Sequence, residues 1–235
     1  MAVKQVELLE DQIAQHRAEV AALQNEISGL QTLKHANIVQ YLGSSVEGSC
    51  LNIFLEYVPG GSISSLIRKF GSDGGLPETL VRYYTKQILS GLQYLHSNQI
   101  IHRDIKGANI LVDDKGVIKL ADFGASKKIE EIVAQVGVGD SIASLKGTVY
   151  WMAPEVIKQT GYGRQADIWS VGCTVIEMAT GQAPWSAEHM DQVSALFTIA
   201  TSNEMPSLPA DFSEEGKDFL AQCFRRNPKE RPNAT

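Results

Sequence analysis

The sequence is short of cysteine, of positive charge and of long apolar runs, and each shortage removes a class of protein. Cys50, Cys173 and Cys223 are its only three cysteines, far apart and without CxxC spacing. An odd, scattered set of this kind fits neither a disulfide framework nor a zinc site, so a reducing compartment is expected, the cytoplasm with the nucleus also open. Lys and Arg number 21 against 27 Asp and Glu, giving a formal charge of -6 and a pI near 5.4. Binding a phosphate backbone wants clustered cations, so nucleic acid is not an expected partner. The longest apolar stretch, "IWSVGCTVI", stops at Glu177, too short to span a bilayer, and no basic region followed by an apolar run opens the chain. Membrane insertion is not expected. There is no internal repeat, no low-complexity tract and no Walker motif: Gly216-Lys217 is followed by Asp218, with no Gly five positions earlier.

What is present is enough for a sizeable core: 235 residues, 43% of them apolar. "AVKQVE" alternates, so Ala2, Lys4 and Val6 share one face of a strand. Residues 10 to 33 read as a helix packed on a sheet, with Ile13, Val20, Leu23, Ile27 and Leu30 at helical spacing and Gly29 as its weak point. Two β-rich runs follow, "NIVQYLGSSVEG" and "CLNIFLEYV", closed by Pro59, Gly60 and Gly61, where one lobe is expected to end. Beyond it, Val81, Tyr84, Ile88, Leu92 and Leu95 line one face of a helix opened by Pro77. Short strands then flank "HRDIKGAN" and "DFG", and helices are expected near 167 to 179 and 214 to 226.

The chemistry concentrates in "IIHRDIKGANILVDDKGVIKLADFG", residues 100 to 124. It sets Asp104, Lys106, Asn109 and Asp122 on loops between short apolar strands, where a rigid frame presents reactive groups. Phosphoryl transfer needs such a set: a carboxylate to orient the attacking hydroxyl, a cation for charge on the moving group, and oxygen ligands for Mg²⁺.

Over essentially its whole length the sequence resembles the protein kinase family. "HRDIKGAN" is similar to the catalytic loop, "DFG" at 122 to 124 to the metal-binding turn, "APE" at 153 to 155 to the end of the activation segment, and "AVK" at 2 to 4 to the third strand of the smaller lobe. The resemblance implies an α+β, two-lobed fold. Residues 1 to 58 would form a reduced sheet lobe with hinge, and 59 to 235 a mainly helical lobe. It implies ATP and Mg²⁺ as cofactors, Asp104 as the hydroxyl-orienting base, Lys106 as the γ-phosphate contact, and Asn109 and Asp122 as metal ligands. Lys4 would pair with the α and β phosphates and with Glu26. Ala2, Leu55 as gatekeeper, the backbones of Glu56 and Val58, and Leu111 would enclose the adenine. Leu30, Tyr41, His102 and Phe123 resemble the regulatory column joining the lobes, Asp167 its acidic anchor, and Arg231 the partner of Glu155 in a buried ion pair.

Lys106, two residues after Asp104, resembles the serine/threonine kinases. "FLEYVPGGSISSL", "HRDIKGANILVD", "IKLADFGASKK", "WMAPEVI" and "ADIWSVGCTVIEMATG" resemble MEKK-like MAP kinase kinase kinases, plant ones especially, although Val149 stands where relatives commonly have Pro. The resemblance implies a protein substrate of the MAP kinase kinase type, with the oligomeric state left open. Ser62 and Ala108 occupy positions where kinases that select basic peptides often carry acids, so recognition of a folded partner is expected instead. Arg103 resembles the arginine that binds an activation-loop phosphate. Ser141 and Ser144 are the candidate phosphosites, each also readable as a plain loop hydroxyl, and Thr148 is expected to contact Asp104 and Lys106.

The family's GxGxxG phosphate cover is missing before Lys4, and "GVGDSI" at 137 to 142 has no strand-to-helix context to replace it. Two readings follow: an ATP-dependent kinase whose smaller lobe is cut, with Met1 internal to a longer chain and a last helix beyond Thr235, or a short product acting as a scaffold or competitor. On either, the Lys4 strand is expected at a sheet edge.

Overall fold

The computed structural model describes residues 1–7, 29–48, 50–71, 74–123, 149–161, 163–185 and 191–235. Three antiparallel strands form a small sheet, β1 (Ala2–Glu7), β2 (Tyr41–Glu47) and β3 (Cys50–Leu55), in the order β1-β3-β2. Lys4 lies opposite Ile53 and Ala2 opposite Leu55, with a bulge between Tyr41 and Gly43 on β2. Period-two alternation sets the faces: Ala2, Lys4 and Val6 are partly covered, whereas Val3 and Gln5 are exposed. Among the described residues no further strand covers the outer edge of β1. Most of the helix expected over 10 to 33 lies outside the described residues. Gly29 and Leu30 are helical, and the chain then turns, with the Leu33 N–H donating to the Leu30 carbonyl at 3.1 Å.

The remainder is helical around one hairpin, β4 (Ile110–Val112) with β5 (Ile118–Leu120). Helix α1 (Ile63–Phe70) starts where the Ser62 hydroxyl accepts from the Ser65 N–H at 3.2 Å. Helix α2 (Glu78–Ser97) follows Pro77, whose fixed φ suits a helix start, and buries Val81, Tyr84, Ile88, Leu92 and Leu95 on one face. Each such side chain contributes on the order of 1.5–3 kcal/mol. A short α3 (Pro154–Ile157) leads to α4 (Arg164–Thr180), buried on every side from Ala166 to Met178. A helix covered all round belongs in a core, and α2, α1 and α6 (Glu214–Cys223) pack on it. Helix α5 (Gln192–Thr201) lies against α3. Gly181 ends α4 at φ 72°, and a Cβ there would sit 1.4 Å from the Gly74 carbonyl oxygen, so only glycine fits.

One strap fixes the sheet to the hairpin that carries the loops of interest. Val39 donates its N–H to the Leu120 carbonyl at 2.9 Å, Leu120 returns the bond to the Asn37 carbonyl at 2.9 Å, and the Asn37 amide reaches the Ile118 carbonyl at 3.0 Å. All these groups are buried, so each bond spares a desolvation cost of about 1–3 kcal/mol. Among the described residues, no helix is long and apolar enough to cross a membrane.

Candidate active site

The turn before β4 gathers three of the expected residues. Asn109 donates its side-chain N–H to Asp104 Oδ2 at 2.6 Å and to the Asp104 carbonyl at 2.9 Å, and Lys106 Nζ stands 2.9 Å from Asp104 Oδ2. The Ala121 N–H donates to the Asn109 carbonyl at 2.9 Å, which brings the neighbouring Asp122 to the same turn. From the sheet side, Lys4 Nζ reaches Asp122 Oδ1 at 2.7 Å. Five side chains that the sequence spreads over 119 positions thus converge between sheet and hairpin. Arg103 and Asp122 hold positive φ, 73° and 58°. For residues with a Cβ this conformation costs on the order of 1–3 kcal/mol, a strain that tends to collect at functional sites.

Behind the turn, Asp167 on α4 anchors the loop. Its carboxylate accepts the His102 N–H at 3.0 Å and the Arg103 N–H at 2.9 Å, with His96 Nε2 at 2.8 Å. Tyr41, Phe123 and His102 form an aromatic column, with ring centroids 5.4 Å and 6.1 Å apart, and the Tyr41 hydroxyl donates to the Phe123 carbonyl at 3.1 Å. Leu30 is buried in the same core.

Burial holds the His102 imidazole below its ordinary 6.5, against the pull of Asp167, Asp104 and Asp122. Below 6.5 the unfolded chain therefore binds more protons than the folded one. Stability on this account rises with pH across that window and is lost as pH falls through it. His102→Phe, which retains a ring against Phe123, should flatten the slope of urea-unfolding free energy between about pH 5.5 and 7; an unchanged slope would acquit His102.

Leu55 ends β3 and Leu111 lies on β4, both partly covered. The Glu56 N–H is spent on the Gln40 carbonyl at 2.9 Å, and the Glu56 carboxylate pairs with Lys119 at 2.9 Å. Neither the Glu56 carbonyl nor the Val58 N–H has a hydrogen-bond partner among the described residues, which suits a planar ligand with a donor and an acceptor on one edge. Asp104 Oδ1 is likewise buried without a partner among them, an acceptor waiting for a donor. Asn109 and Asp122 supply hard oxygen donors of the kind a divalent metal takes alongside phosphate. No group of three or more His, Cys, Asp or Glu suited to a metal occurs among the described residues. These residues fit nucleotide and metal.

Arg231 forms a two-pronged pair with Glu155, at 2.6 Å and 2.8 Å. Glu26, Gly124, Ser141, Ser144 and Thr148 lie outside the described residues. The sequence reading passed over Glu177, whose carboxylate accepts the Gly107 N–H at 2.9 Å. Its signal was a lone carboxylate closing the apolar run of α4.

A strand lysine is set against the Asp122 carboxylate, over a loop carrying Asp, Lys and Asn, between a small antiparallel sheet and a mainly helical unit. The chain belongs to the protein kinase family, whose domain matches residues 1–235. It is 52% identical over 234 residues to mitogen-activated protein kinase kinase kinase A of Dictyostelium discoideum, covering 99% of this chain and 24% of that protein. It is 53% identical to mitogen-activated protein kinase kinase kinase ANP1 of Arabidopsis thaliana, covering 100% of this chain and 34% of the relative, and 50% identical to mitogen-activated protein kinase kinase kinase 19 of Mus musculus, covering 100% and 18%. The chain thus spans about a third or less of the length of these relatives.

Proposed function

We propose that the protein transfers the γ-phosphate of ATP, with Mg²⁺, to a serine or threonine hydroxyl of a MAP kinase kinase. The observation that carries this reading is the turn in which Asp104 Oδ2 is held by Asn109 and Lys106 while Oδ1 has no partner among the described residues. Held in this way, Oδ1 accepts the proton of an incoming hydroxyl and aims its oxygen. Lys106 meets negative charge as it shifts onto the moving group, and Lys4 holds the far phosphates while keeping Asp122 oriented. Asn109 and Asp122 would hold the metal, and Mg²⁺ bound there would supply positive charge to offset that on the phosphate oxygens. The Glu56 carbonyl and Val58 N–H orient the adenine, with Leu55 and Leu111 excluding water.

The similarity to MAP kinase kinase kinases supports the choice of substrate, as does the lack of acids at Ser62 and Ala108. A purified MAP kinase kinase is therefore expected to be phosphorylated with a kcat/KM at least about 10-fold above that of any short peptide from an array, a difference of about 1.4 kcal/mol. Strong selection in the array for Arg upstream of the acceptor would contradict recognition of a folded partner.

A further inference from the structure

Glu177 is, with Asp167, one of two acids in the buried stretch of α4, and its surroundings explain why it is tolerated. Its Oε1 accepts from the Ser64 hydroxyl of α1 at 2.6 Å, and its Oε2 accepts from the Gly107 N–H at 2.9 Å. Burial pushes the carboxyl above its usual range, while the bonds from Ser64 and Gly107, the nearby Trp151 indole N–H and the charge of Lys106 pull it back. Gly107 opens the turn that runs to Asn109 and follows Lys106 directly. A Cβ at Gly107 would stand 2.5 Å from Glu177 Oε1 and 2.8 Å from Ser64 Oγ, so the turn lies flush against both side chains. Three elements distant in sequence, α1, α4 and the loop, therefore meet at one carboxylate.

We infer that Glu177 is a positioning residue for phosphate transfer: with Ser64, it holds the Gly107 backbone so that Lys106 and Asn109 flank Asp104. The inference rests on the proposed phosphotransfer, with Glu177 acting through the Gly107 backbone. Asp104 Oδ2 has its two partners on either side of Gly107, at 2.9 Å to Lys106 and 2.6 Å to Asn109, so a displaced Gly107 misaligns both. A shift of about 1 Å at such a site can cost on the order of 100-fold in rate without changing what binds.

The 235-residue chain is compared with Glu177→Ala, Glu177→Gln and Ser64→Ala in two measurements, hydrogen exchange of the Gly107 amide and steady-state transfer. Glu177→Ala should speed that exchange at least about 10-fold, and should lower kcat about 10- to 100-fold with KM for ATP and protein substrate held within about 3-fold. Glu177→Gln keeps an oxygen for Gly107 and offers its amide N–H to the Ser64 hydroxyl. It should hold both readouts within about 5-fold of the parent. Ser64→Ala should fall between the two, and it decides the matter with Glu177→Gln if Glu177→Ala does not unfold cooperatively. A raised KM at unchanged kcat, a Gln variant as impaired as Ala, or unaltered amide exchange would each overturn the inference. If the parent transfers no phosphate, the proposed phosphotransfer fails, while the exchange data still decide the tether by the same criteria.

Discussion

Asp104→Asn is expected to lower kcat for phosphate transfer by about 10²- to 10⁴-fold, the usual range for losing a positioned general base. The structure makes this substitution informative because an amide fits the same space. Oδ2 accepts from Asn109 at 2.6 Å and stands 2.9 Å from Lys106, so an amide oxygen can keep those two partners. The group then facing the hydroxyl is an N–H, which repels the proton that Oδ1 would accept. In the proposed reading the nucleotide is held elsewhere, by Lys4, Asp122 and the segment after β3. ATP affinity should therefore stay within about 3-fold of the parent, under about 0.7 kcal/mol. Steady-state kinetics with calorimetric ATP titration checks both halves, and an equal loss of affinity and rate would make Asp104 structural.

Arg231→Ala should produce the largest loss of stability, about 3–5 kcal/mol, because it strands a carboxylate in the interior. The Arg231 side chain is 0% exposed and that of Glu155 11%. The guanidinium also donates to the Arg225 carbonyl at 2.7 Å and the Gln165 carbonyl at 3.0 Å, and lies 5.1 Å from the centre of the Trp169 ring. Arg231→Lys keeps charge but cannot reproduce the two-pronged contact, and should lose a smaller share. In a chain of this size the Ala variant should melt roughly 6–20 °C lower. Removing Glu155 and Arg231 together, with apolar side chains of similar volume, should cost less than Arg231→Ala alone. A double-mutant cycle showing simple additivity would contradict the coupling.

The convergence of Lys4, Asp104, Lys106, Asn109 and Asp122 was legible because they stand in linear motifs, "HRDIKGAN", "DFG" and "AVK", the last alternating as a strand must. The sheet strands and helices α2, α4 and α6 could likewise be read from apolar spacing. Helix α5 could not. Val193 and Phe197 are exposed while Ala195 and Ile199 are buried, so its apolar residues mark no single face. Helix α1 was missed because it buries only Ile63 and Ile67 and starts among serines that also read as loop. The Ser64–Glu177 contact joins positions 113 apart, and no local pattern announces it.

The central claim is that Lys4, Asp104, Lys106, Asn109 and Asp122 act as one phosphoryl-transfer site. Its most direct test is mass spectrometry of a purified MAP kinase kinase after incubation with ATP, Mg²⁺ and this chain. New phosphate on serine or threonine, lost when Asp104→Asn replaces the parent, is the expected result. No phosphate above background, or equal incorporation by both proteins, would contradict it.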